Sequence, residues 1–132
     1  MDYDAWSSAG SPAIERSAPA AVALPDGRAL VAGGASTGDG ESVPLASAEL
    51  YDPQTNLWTP AAPMSRPRQG ATATVLPDGR VLVAGGTVKA GYWDTASAEL
   101  YDPATNRWSP AADMGYARMF HAAVAHSDGR VL

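Results

Sequence analysis

The chain has 132 residues, 45% of them hydrophobic and 17% charged, enough apolar material for a packed core and unlike the composition of a disordered tail. Its formal charge of −5 opposes a phosphate backbone, whose binding is driven by Lys and Arg displacing counterions, so no nucleic acid is expected as partner. No apolar run approaches the roughly 18 residues of a membrane span, and the absence of cysteine excludes a disulfide framework, a thiol nucleophile and a thiolate metal site.

In chain order, residues 1–15 read as the last strand of a preceding unit and its connection, because Trp6 stands 52 positions ahead of Trp58. The gap from Tyr3 to Trp6 is three residues rather than the seven separating Tyr51 from Trp58, so that strand does not align through its tyrosine. Residues 16–63 form a first complete unit. Its opening strand contains Pro19 where the second unit has Ala71, which predicts a late or distorted start, since proline cannot donate to a ladder. LPDGRALVAGG at 24–34 then supplies a tight reversal into a second strand. A variable loop with Asp39 and Glu41 follows; it lacks the ligand spacing of a calcium loop and reads as a solvated turn.

Residues 64–113 repeat the pattern. LPDGRVLVAGG at 76–86 matches its predecessor at ten of eleven positions, and TASAELYDPATNRWSPAADM at 95–114 matches 45–64 at fifteen of twenty. GATATVL, RVLVAGG, SAELY and RWSPA read as four short strands by alternation, and no stretch carries a capped helical period. The only length difference falls in one loop, where Gly34 to Glu49 spans fifteen steps and Gly86 to Glu99 thirteen. Residues 114–132 restart the unit and hold its first two strands.

Four antiparallel strands repeated at about fifty residues are the signature of a propeller blade. The paired glycines Gly33-Gly34 and Gly85-Gly86, Tyr51 and Tyr101, Trp58 and Trp108, and Arg16, Arg68 and Arg118 resemble the kelch motif in phase over nearly the whole chain. The resemblance implies an all-β fold, a kelch-type β-propeller segment of four-stranded blades, two complete and two partial, from a longer protein. It also favours an extracytoplasmic or secreted setting. The missing partners of the outer blades would be further blades of a parent chain or a second copy of this one.

Chain direction puts the first-to-second and third-to-fourth strand turns on one face, and the blade-to-blade connections with the second-to-third strand loops on the other. Six residues on that second face are candidate ligand contacts: Arg66, Arg68, Tyr92, Trp93, Tyr116 and Arg118. Guanidinium forks can grip a carboxylate or phosphate, but a recurring arginine can equally pair across the blade interface with a recurring acid such as Glu49 or Glu99. Tyr92 and Trp93 occur once and would suit a sugar ring or a peptide, or would fold back over the next blade. Trp58 and Trp108 read as packing anchors, and Glu49 and Glu99 as structural.

His121 and His126, five apart, point to opposite sides of one strand and do not jointly hold a metal, and His121 stands where kelch-like motifs often carry a packing histidine. No hydrolase elbow, zinc-protease motif or phosphate loop is present. The expectation is therefore a binding module that presents loops to a protein, peptide or carbohydrate, without a metal or cofactor. The alternative is the propeller part of a larger enzyme. Resemblance to the galactose-oxidase propeller implies a copper-radical oxidase, but no cysteine exists to form its thioether; a sialic-acid mutarotase on this fold would use arginines and a carboxylate.

Overall fold

The computed structural model describes residues 8–89 and 93–132. The expected strand around Trp6 and the candidate Tyr92 lie outside the described residues. The described residues form ten strands: β1 (Ala20–Ala23), β2 (Ala29–Ala32), β3 (Ala35–Ser36), β4 (Val43–Pro44), β5 (Ala48–Asp52), β6 (Leu57–Ala61), β7 (Thr72–Val75), β8 (Val81–Ala84), β9 (Ala98–Asp102) and β10 (Arg107–Ala111). They form two antiparallel four-stranded sheets, ordered β1-β2-β5-β6 and β7-β8-β9-β10, plus a small β3-β4 pair inside the first variable loop. That loop also contains a one-turn 3-10 helix at Gly38–Gly40. Each sheet is a blade, and the two first strands, β1 and β7, are neighbours across the interface.

The register is the same in both blades. Leu30 lies opposite Leu50 as Leu82 lies opposite Leu100, and Tyr51 opposite Trp58 as Tyr101 opposite Trp108. The Tyr–Trp rings sit 5.1 and 4.9 Å apart and tilted, a geometry worth about 0.5–1.5 kcal/mol beyond area burial. Pro19 does not delay its strand: β1 and β7 start at equivalent positions, and Pro19 sits one residue ahead of the ladder, where no strand N–H is needed. The third unit is less regular than expected. Its hairpin is a single bridge, Ala125 to Val131, extended by the reciprocal Val124 and Leu132 backbone bonds.

The core lies between the blades. Leu24, Leu30 and Ala32 of the first pack with Val81, Val83 and Tyr101 of the second, Met64 closes one end, and Leu30, Val81, Val83 and Tyr101 are fully buried. Burying each such side chain contributes about 1.5–3 kcal/mol, so the inter-blade contact is where most of the stability of this pair resides. Each D-G-R turn is closed by backbone bonds and an exposed Asp–Arg pair: Asp26–Arg28, Asp78–Arg80 and Asp128–Arg130. The arginine hydrogen bond is the largest cause holding the Asp26, Asp78 and Asp128 carboxyls below the usual aspartate value.

Candidate ligand-facing surface

The blade-to-blade connection and the second-to-third strand loop share one face because backbone bonds tie them together. Met64 N–H donates to Ala46 carbonyl and Arg68 N–H to Leu45 carbonyl, and the next unit repeats this with Met114 to Ala96 and Arg118 to Thr95. Arg68 carbonyl in turn accepts from Gly34 N–H at 2.8 Å, and Arg118 carbonyl from Gly86 N–H at 2.9 Å. The arginine backbone thus clasps the preceding blade.

Its side chain turns into its own blade. The Arg68 guanidinium, 1% exposed, donates to Glu99 Oε2 (3.0 Å), to the carbonyls of Gly85 and Ser97 and to Ser97 Oγ. Glu99 Oε1 accepts from Ser65 N–H. Arg16 does the same with Glu49 (2.9 Å), Gly33 and Ser47. The sequence-expected pairing is present, but within one repeat rather than between partners on facing blades. Arg68, proposed from sequence as a ligand contact, has its charge satisfied and hidden by packing; reaching it would require opening the connection.

The other candidates are placed differently. Trp93 is 68% and Tyr116 78% exposed. Arg66 is also exposed and lines a cleft of about 530 Å³ with Arg107, Trp108 and Asp113. Arg118 is exposed and borders a separate cavity of about 280 Å³. Among the described residues, Arg66 and Arg68 share one cleft, Arg118 borders another, and Trp93 and Tyr116 line neither. The second variable loop meets the third unit through Thr87. Trp93 carbonyl accepts from Val88 N–H, and the Thr87 hydroxyl lies 3.0 Å from Asp94 Oδ1 and 2.9 Å from Met119 Sδ.

Two features escaped sequence reasoning. Asn106, held at φ +52°, accepts from Tyr101 O–H and from Ala62 N–H of the preceding blade, while Trp108 Nε1 donates to Ala62 carbonyl at 2.6 Å. Together they latch the end of one blade to the next. Phe120 is the second: 65% exposed, at φ +49°, it lies on the bare Gly70 backbone and donates its N–H to the Gly70 carbonyl. Its signal was available, since Phe120 stands in register with Ala18 and Gly70, also at positive φ. The histidines do not converge: His121 Nε2 meets Thr72 Oγ1 at 3.1 Å, whereas His126 sits on a turn beside Asp128. Burial, then the nearby Arg118 charge, lowers the His121 pKa.

Two blades with an arginine–glutamate clasp, a diglycine contact and a Tyr–Trp pair in the same register define a repeat protein of the propeller class. The kelch motif matches residues 16–65 and 67–115, so the chain belongs to the kelch-repeat family. No curated protein matches it. Among solved structures it is similar to one described as a novel fungal alcohol oxidase with catalytic diversity among the AA5 family, in complex with copper. That likeness has 22% identity and a TM-score of 0.72, over 88% of this chain and 26% of that one. It is also similar to the structure of YjhT, at 20% identity and TM-score 0.75, over 86% of this chain and 42% of that one. The chain therefore spans between a quarter and under half of these propeller-containing structures. Copper belongs to the oxidase; among the described residues here no three His, Asp or Glu side chains form a metal-holding group.

Proposed function

We propose that this kelch segment is a recognition module, without chemistry of its own, that contacts a peptide, protein or carbohydrate through the face carrying the blade connections and variable loops. The observation that carries the reading is a division of labour between repeated and unrepeated residues. The repeated charges are consumed internally, as Arg16 and Arg68 are by Glu49 and Glu99, while the unrepeated aromatics Trp93 and Tyr116 stand exposed on that face. Position 66 supports it. Ile14, Arg66 and Tyr116 occupy one register position two residues before the arginine, all exposed and all different, so chemistry varies there while the scaffold stays fixed. Exposed aromatics that share a face with the charges of Arg66, Asp94 and Asp113 suit a ligand of mixed polar and apolar character rather than a phosphate.

The test is a glycan and peptide array probed with the chain and with Trp93→Ala and Tyr116→Ala. Selective binding that falls about fivefold or more in either variant, with unchanged circular dichroism, supports the reading. Binding that is indifferent to both variants removes it. Membership of a larger enzyme is the competing proposal, motivated by the small share of the copper oxidase that the chain spans; turnover of a primary alcohol by the chain would favour it.

A further inference from the structure

The cleft of about 530 Å³ lies between the connection that follows β6 and β10, the outer strand of the second four-stranded sheet, so both its walls belong to complete blades. Its floor is scaffold. Glu99, Asn106, Trp108 and Pro110 stand where the first repeat has Glu49, Asn56, Trp58 and Pro60, and Glu99 is bound to Arg68. Its rim is not repeated: Arg66, Arg107 and Asp113 stand where the first repeat has Ile14, Leu57 and Pro63. Three charges thus replace three uncharged residues on a preserved frame. All three are exposed, and among the described residues none of them is in an ion pair. With Arg68 and Glu99 cancelling, the cleft presents two positive charges against one negative in a chain whose total is −5.

The backbone sets their order along the cleft. Ser65 N–H donates to Glu99 Oε1 and Glu99 pairs with Pro110, so Arg66 springs from above the middle of β10. Arg107 opens β10 and Asp113 lies two residues past its end, roughly 20 Å away at about 3.3 Å per residue. The cleft volume spread over that length makes a trough about 5 Å across, the width of one extended chain. We infer that this trough docks an extended peptide segment of a protein partner, carrying two acidic residues for Arg107 and Arg66 and a basic residue toward Asp113. Residues i and i+2 of such a segment share a side about 7 Å apart, a spacing that two flexible arginines bracket. The wall between the charges favours a peptide over an acidic glycan. It consists of Ala62, Pro110, Ala111 and the half-buried Trp108 indole, whose Nε1 is already given to the Ala62 carbonyl. Sugar hydroxyls would go unmatched there, whereas apolar residues between the acids would pack against it. Asp113 repels a polyanion. The inference deepens the recognition reading, in which Arg66 already figures, but stands on different residues: the array is read on Trp93 and Tyr116, the test below on Arg66 and Arg107, and either can fail alone.

The test measures anisotropy of fluorescein-labelled Glu-Val-Glu-Val-Lys, and of the same peptide in reverse order because the rim does not fix backbone direction, against the 132-residue chain. One order is expected to bind saturably at one to one, and more weakly as salt rises. Arg66→Ile and Arg107→Leu install the first repeat's residues, which the frame is built to carry; each should weaken binding about fivefold, and the double variant should abolish it. A peptide with glutamine in place of glutamate should bind about tenfold more weakly and be indifferent to both variants, a coupling that surface stickiness would not produce. Arg80→Ala, on the opposite turn face, should change nothing. No saturable binding in either order, equal binding of the glutamine peptide, or indifference to Arg66→Ile and Arg107→Leu would overturn the inference. Equal weakening by Arg80→Ala would do the same, and tighter binding of an oligogalacturonate would overturn it in favour of an acidic glycan.

Discussion

Substituting Gly33 by alanine separates close packing between blades from ordinary backbone cost. Gly33 has φ +67°, and an added Cβ would collide with the carbonyl oxygen of Arg68 and touch the Met64 methyl at 3.1 Å. Gly27 is the control: it has φ +91° but nothing within 4 Å of a Cβ. Both substitutions incur the left-handed conformational cost of about 1–2 kcal/mol. Gly33→Ala must also displace the Arg68 carbonyl, which accepts the Gly34 N–H, and with it the backbone that carries a buried guanidinium. One lost hydrogen bond adds about 1 kcal/mol, and disturbing a buried charge network adds a further few. The expected difference between the two variants is therefore about 2–4 kcal/mol. Urea denaturation followed by far-ultraviolet circular dichroism measures it. Equal destabilisation by Gly27→Ala and Gly33→Ala would refute the claim that the diglycine exists to admit the next blade.

Other expectations follow from the same geometry. Glu99→Gln should destabilise by about 3–5 kcal/mol by leaving the Arg68 charge buried and unpartnered, and the double change Arg68→Met with Glu99→Leu should recover much of it; urea midpoints decide. Asn106→Ala should cost about 1–2 kcal/mol through the Ala62 latch, whereas Asn56→Ala, whose side chain accepts only from Tyr51 among the described residues, should cost less in the same assay. The turn aspartates have folded pKa values depressed below 3.8, so the stability they contribute is present above that value and is lost as pH falls through the lower folded values; Asp26→Asn should flatten the acid limb of a stability–pH curve. His121 titrates below 6.5 in the fold, so the unfolded chain binds the proton more readily. Stability should be complete above that pH and decline below it, a slope His121→Phe should remove.

The blade plan was legible because it is written twice. Alternation, the P-D-G turn and the Tyr–Trp spacing each recur in phase, and hairpin register depends on these local signals. The identity of the buried acid was legible for the same reason, since only a residue that recurs can serve a partner that recurs. What sequence could not decide was burial: Arg66 and Arg68 are two residues apart and chemically identical, yet one lies in solvent and the other under its own connection. Pro19 misled because strand start was judged from residue type, whereas the ladder begins one residue later. The Asn106 latch was hidden because its partner is a backbone group forty-four residues away, and backbone groups leave no compositional trace.

The most direct measurement compares Arg66→Ala with Arg68→Ala in one thermal denaturation series. If repeated residues hold the blades and unrepeated ones face the ligand, Arg68→Ala should lower the melting temperature by ten degrees or more, corresponding to about 3 kcal/mol or more, while Arg66→Ala should leave it within a degree or two. Equal shifts in the two variants, or a stable Arg68→Ala protein, would contradict the division of labour on which the functional reading rests.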